Sequence, residues 1–175
     1  MPIVKGGHAI MLSVTVPPAV AAAANAWVDQ DPKHRASRVD ADPHMTLLFV
    51  GRDVDSAHHD ALQRGAAWVA GQVRAAKLLG LGVFQMFGGK HDTLAMPLIA
   101  APWLVTLRTK LQQTLKHHGV PIANDFKFNP HVTLAIGQPG HRAMIGTYPG
   151  TVFPVTGVEL KLGSGPDAIR KVAVP

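Results

Sequence analysis

"PHMTLLFVG", residues 43–51, and "PHVTLAIG", residues 130–137, share one frame, Pro-His-x-Thr-Leu. Each sets a histidine and a threonine two positions apart in an otherwise apolar run. Successive side chains of a strand point to opposite faces, so residues two apart share a face. His44 and Thr46 then lie on one side, with Met45, Leu47 and Phe49 on the other. Likewise His131 and Thr133 share a side opposite Val132, Leu134 and Ile136. The apolar side of each strand must be buried. The His/Thr sides fall on the opposite surface, and two equivalent lobes packed around one cleft would bring both pairs together.

The surrounding sequence supports two such lobes. "HAIMLSVTV", residues 8–16, alternates as a strand, with Ile10, Leu12, Val14 and Val16 toward the core. Pro17 and Pro18 end it, and Pro18 suits the first turn of a helix over 19–30. The polar, basic run "DPKHRASRVDAD", residues 31–42, reads as a mobile loop before the first motif strand at 44–50. Asp55 or Ser56 would cap a second helix over 56–74. Residues 77–87 read as a strand, "GGK" at 88–90 as a hairpin turn and "DTLAMPLI" at 92–99 as the returning strand, with Pro97 at its end or edge. Pro102 opens a third helix. Its stripe is Leu104, Leu107, Leu111 and Leu115, and Gly119 and Pro121 stop it. The second motif strand follows at 131–136, and 152–162 and 169–174 read as closing strands. Strand, helix and motif strand thus recur in order over 8–50 and over 91–136, which suggests two related lobes.

The totals limit the function. A chain of 175 residues, 47% apolar and 16% charged, fits one domain with a sizeable core, or two small lobes sharing one. The formal charge of +6 favours anionic partners such as nucleotides, RNA, DNA or acidic lipids. There is no cysteine, which excludes disulfides, thiolate nucleophiles and cysteine-based zinc sites. The N-terminal run "MPIVKGGHAIMLSV" does not read as a signal peptide, and "AVAAAANAWV" is too short to span a bilayer. The expectation is a cytoplasmic monomer with no membrane partner.

Two histidines and two threonines in one cleft suit a phosphodiester. Cleaving one takes a base to activate the nucleophile and an acid to protonate the leaving oxygen, on opposite sides of an in-line displacement. Histidine serves as either near neutral pH. Hydroxyl donors preorganised on the non-bridging oxygens stabilise the transition state. A single H-x-T on a strand is most often an ordinary surface or core feature. Its repetition in a five-residue frame, on two expected strands, points to function.

The two frames resemble the paired H-x-T motifs of the 2H phosphoesterase superfamily, which includes LigT-like RNA 2′,3′-cyclic phosphodiesterases. In particular "KFNPHVTLA", residues 127–135, is similar to the basic-x-aromatic-x-Pro-His-x-Thr-Leu form of LigT-like members. The resemblance implies a bilobal α+β fold as a single domain over 1–175. Two antiparallel sheets would form a concave cleft, with helices packed outside. It also implies metal-independent chemistry with no cofactor. His44 and His131 would be the general acid/base pair and Thr46 and Thr133 would hold the phosphate. The substrates implied are RNA ends, oligonucleotides or cyclic nucleotides, through a 2′,3′-cyclic phosphate or a 2′-5′ linkage. Hydrolysis of a cyclic oligonucleotide messenger, or nucleotide or RNA binding without catalysis, stand as alternatives.

Other residues carry weaker signals. Lys127 would share the face of His131 if the chain stays extended, and would contact phosphate there; a solvated loop lysine is the competing reading. Arg35 and Arg38 would close over an oligonucleotide backbone, or simply be solvated. Tyr148, Trp27, Trp68 and Trp103 could stack on bases, although the tryptophans, on expected helices, read more readily as core. The "HH" pairs at 58–59 and 117–118 make poor metal sites, because adjacent helical residues do not share a face. "GGKH" at 88–91 lacks the Ser/Thr of a phosphate-binding loop.

Overall fold

The computed structural model describes residues 8–32, 35, 43–74, 77–80, 85–87, 93–98, 102–123, 127–136 and 151–175. The strands are β1 (Ala9–Thr15), β2 (His44–Arg52), β3 (Lys77–Gly80), β4 (Gln85–Phe87), β5 (Thr93–Pro97), β6 (His131–Ile136), β7 (Thr151–Pro154), β8 (Gly157–Lys161) and β9 (Ile169–Ala173). The helices are α1 (Pro18–Val28), α2 (His59–Gln72) and α3 (Pro102–His117). The repeated order, β1-α1-β2 and β5-α3-β6, holds as the sequence indicates.

The class is α+β with antiparallel pairing. The described strands form a seven-stranded sheet in the order β4-β5-β6-β2-β1-β8-β9, and β3 pairs with β7 in a separate two-stranded sheet. The two motif strands therefore lie side by side at the centre of one sheet instead of facing each other across two. A single registered pair, Met45 opposite Val132, joins β2 to β6. The lobes meet at that seam.

Two expected strands are each divided. Residues 77–87 supply β3 and β4, which join different sheets, and 152–162 supply β7 and β8, separated at Val155 and Thr156. An apolar run does not reveal a change of sheet, since the pattern that marks a strand does not say which neighbour it pairs with. At the start of the expected 31–42 loop, Arg35 N–H donates to the Asp31 carbonyl at 2.9 Å, a bond of the i to i−4 kind. Residues 33, 34 and 36–42 and the expected turn at 88–90 lie outside the described residues.

One apolar core underlies the sheet. Ile10, Leu12, Val14, Met45, Val132, Val158 and Leu160 supply its sheet side, and Leu62, Val69, Leu104, Leu111 and Leu115 its helical side. The leucine stripe of α3 is buried along its length, as its spacing requires. At Gly65 of α2 a Cβ would sit 3.2 Å from Leu111 Cδ1, so glycine is what lets α2 and α3 approach there. Gly119, at φ +77°, ends α3 in the left-handed conformation. Gly119 N–H donates to the Lys116 carbonyl at 2.9 Å and Val120 N–H to the Leu115 carbonyl at 3.0 Å. These two bonds, with Val120 buried, make a Schellman terminus.

Asp55 caps the 3₁₀ turn Ser56–His58 that leads into α2, its carboxylate accepting from Ala57 N–H at 2.8 Å. Asp55→Ala is expected to lower unfolding free energy by about 1 kcal/mol, read by denaturant titration, with the slope unchanged.

The tryptophans divide. Trp27 packs against the core, but Trp68 is 36% and Trp103 37% exposed, against the expectation that all three are core. Both exposed rings sit outside the buried stripes of α2 and α3. No helix among the described residues is long and apolar enough to cross a membrane.

Candidate active site

The register at the seam decides how the four motif side chains meet. In an antiparallel pair, Met45 opposite Val132 sets His44 across from Thr133 and Thr46 across from His131. Met45 and Val132 point into the core, at 0% and 1% exposed. The four polar residues therefore share the other face, and all four are half-buried. They form a square with the histidines on one diagonal and the threonines on the other. Diagonal neighbours in such a pair stand about 7–8 Å apart, and direct neighbours about 5 Å. A two-fold rotation at the seam exchanges His44 with His131 and Thr46 with Thr133.

Both motif strands break their alternation at the same place. Between β1 and β2, Ser13 pairs with Thr46 and Leu12 with Leu48, so Leu47 is an extra residue. Between β5 and β6, Ala95 pairs with Thr133 and Leu94 with Ala135, so Leu134 is extra. The shared leucine of Pro-His-x-Thr-Leu is thus a bulge position in each lobe. Bulges bend a strand and raise its twist, and they collect beside active sites. The consequence corrects the period-two reading. Leu47 and Leu48 are both buried, Phe49 is half-exposed opposite Met11, and Ile136 is 48% exposed in place of the core.

His131 has a fixed tautomer. Its Nδ1 lies 2.7 Å from the Asn129 carbonyl oxygen, which can only accept, so Nδ1 carries a hydrogen. With a hydrogen on Nδ1, Nε2 is the ring nitrogen that carries the lone pair, and the short contact with Asn129 orients the ring. Thr46 Oγ1 donates to Met11 Sδ at 3.8 Å, a weak bond to a poor acceptor that a phosphate oxygen would readily displace.

The remaining candidates are less well placed. Lys127 is exposed in the irregular approach to β6, four positions before His131. Phe128 packs against the core, with the Arg108 guanidinium 5.1 Å from its ring centroid. Arg35 is exposed, and Arg38 and Tyr148 lie outside the described residues. His117 and His118 stack edge-on at 5.6 Å, and no group of three metal-ligating side chains occurs among the described residues.

A family model, the 2′-5′ RNA ligase superfamily, matches residues 16–145 and so spans both motifs. The chain belongs to this superfamily. It is the 2H phosphoesterase group that the paired frames resemble, a group of phosphoesterases whose chemistry is phosphodiester hydrolysis or ligation. No curated protein sequence matches the chain.

Solved structures share the fold at low identity. E. coli LigT in apo form is 18% identical with a TM-score of 0.64, over 98% of this chain and 96% of that one. TT0787 of Thermus thermophilus is 21% identical with a TM-score of 0.63, over 95% of each chain. The MHV ns2 PDE domain is 13% identical with a TM-score of 0.62, over 87% of this chain and 97% of that one. A 2′-5′ RNA ligase superfamily member of this length is thus matched along nearly its whole chain.

Proposed function

We propose that the protein is a phosphodiesterase acting on a 2′,3′-cyclic phosphate or a 2′-5′ linkage of RNA or a nucleotide, with His44 and His131 as its proton carriers. The observation that carries this reading is the square of His44, Thr46, His131 and Thr133 around one seam. A phosphorus atom over its centre has an imidazole on each side along one diagonal and a hydroxyl on each side along the other. For a cyclic phosphate, one imidazole takes a proton from water as its oxygen bonds to phosphorus. The bond from phosphorus to one ribose oxygen breaks, and the second imidazole delivers a proton to that oxygen. A phosphomonoester and a free ribose hydroxyl result. For a 2′-5′ linkage the neighbouring 3′ hydroxyl takes the place of water.

The bulges, the bond from His131 to Asn129 and the weak resting partner of Thr46 support the reading, since each prepares a side chain for a ligand. A binding module without catalysis has no need of two proton carriers on opposite sides of one phosphate. Nucleotide substrates also fit the comparisons, because E. coli LigT has been solved with 3′-AMP and with phosphate. Arg35, Arg38 and Lys127 remain proposals for backbone phosphates beyond the reacting one.

The test is a substrate panel in EDTA: 2′,3′-cyclic mononucleotides, 2′-5′ oligoadenylate and 3′,3′-cyclic dinucleotides, with products resolved by chromatography. Turnover of the first or second class is expected. Turnover of the third class alone would move the assignment to cyclic messengers, and binding without any turnover would leave a module.

A further inference from the structure

The open face carries polar residues beyond the square. At the level of His131 and Thr46, the next positions across the sheet are Ser13, Glu159 and Lys171, on β1, β8 and β9. Ser13 is 3% exposed, and its hydroxyl has no hydrogen-bond partner among the described residues. Glu159 is only 16% exposed, and Lys171 reaches it at 3.7 Å while remaining 70% exposed. Val158 and Leu160, on either side of Glu159, point into the core, so the carboxylate is on the active face.

A hollow of about 460 Å³ opens there, lined by Thr15, Pro43, Thr156, Gly157, Glu159 and Lys171 among others. Thr15 is the direct cross-strand partner of His44, and Pro43 is its chain neighbour. The hollow therefore adjoins the square on the His44 side. Pro18, Ala21 and Ala173 are among its other lining residues. Apolar walls with one largely buried carboxylate suit a flat, weakly polar ring with hydrogen-bond donors along an edge. Neighbouring strands are about 4.8 Å apart, so Glu159, two and a half spacings from the centre of the square, is about 12 Å away laterally. One nucleotide, met by the Glu159 side chain, covers that span.

We infer that this hollow is a nucleobase subsite and that Glu159 selects guanine. Guanine alone among the four RNA bases presents two adjacent donors, N1–H and the N2 amino group, that a carboxylate accepts side by side. Uracil offers one imide N–H, and adenine and cytosine each offer an amino group beside an acceptor.

The inference rests on the phosphodiesterase reading, and the experiment separates the two. Rates on the four 2′,3′-cyclic mononucleotides are compared for the native protein and Glu159→Gln. Calorimetry then measures guanosine 3′-monophosphate and inosine 3′-monophosphate, which lacks the N2 amine. The native protein is expected to favour guanosine. Glu159→Gln should lose roughly tenfold or more on the guanosine substrate, mainly in KM, with little change on the others. The native protein should bind the inosine nucleotide more weakly, and that difference should vanish in the variant. If no substrate turns over yet binding discriminates guanosine through Glu159, the subsite stands and the catalytic reading falls. Turnover with no base preference, an equal loss on all four bases, or no binding discrimination overturns the subsite. An unchanged melting temperature for Glu159→Gln shows that the fold is intact.

Discussion

His44→Ala and His131→Ala are each expected to lower kcat/KM on the accepted phosphodiester by roughly 10²–10⁴-fold, with folding stability little changed. Both imidazoles are half-buried on the face away from the core, so removing either opens no cavity beneath the sheet. In the proposed mechanism the two act on one phosphorus at the same moment. The double variant should therefore lose little beyond the worse single one, since groups that work as a unit are far from additive. The sign of the pH dependence follows from the division of labour. Below the optimum the base is protonated and cannot accept, and above it the acid has lost its proton. The rate should fall on both sides in a bell, and each single variant should abolish one limb of what activity remains. A flat profile between pH 5 and 9, or one histidine variant of near-native activity, would rule out the paired scheme. Initial rates across that range, with circular dichroism on each variant, decide it.

Much of the architecture was legible because the signals that carry it are local. The stripe of Leu104, Leu107, Leu111 and Leu115 needs only a period, and Gly119 needs only its position after the last leucine. The two Pro-His-x-Thr-Leu frames identified the four candidate residues because polar side chains recur at one spacing in apolar strands. The bulges were harder to see. Counting alternation from His44 puts Phe49 in the core, and counting from His131 puts Ile136 there. An inserted residue shifts the count without changing the composition. A sign was present nonetheless: Leu47–Leu48 and Leu134–Ala135 are adjacent apolar pairs at the place where alternation calls for one polar residue. The placement of both motif strands at the seam of one sheet had no local sign. Pairing of β2 with β6 is fixed by contacts between residues far apart in sequence, and a one-residue slip would have turned His131 into the core. Glu159 was missed because one acidic residue on a closing strand looks like any solvated charge until Val158 and Leu160 are seen to be buried around it.

The threonines bear the second large effect. Thr46→Val and Thr133→Val keep the shape and the strand preference and remove only the hydroxyl. Each is expected to lower kcat by roughly 10²–10³-fold, the usual loss when one preorganised donor to a developing oxyanion is removed. The fold should tolerate the change. Thr46 loses only a 3.8 Å bond to the Met11 thioether, so stability should move by less than about 1 kcal/mol. Geometry sets the ratio as well as the size. The two-fold relation at the seam gives each hydroxyl an equivalent place relative to the phosphorus, with the same bulge following it on its own strand. The two losses should therefore agree within about a factor of ten. Substrate should still bind, because the contacts proposed for Lys127, the arginines and the base hollow are untouched, so the loss should appear in kcat more than in KM. Single-turnover rates for both variants, set beside their thermal melts, make the comparison. If either variant stays within a few-fold of native while the histidine variants are inactive, that hydroxyl does not hold the phosphate, and the square reduces to its histidine diagonal.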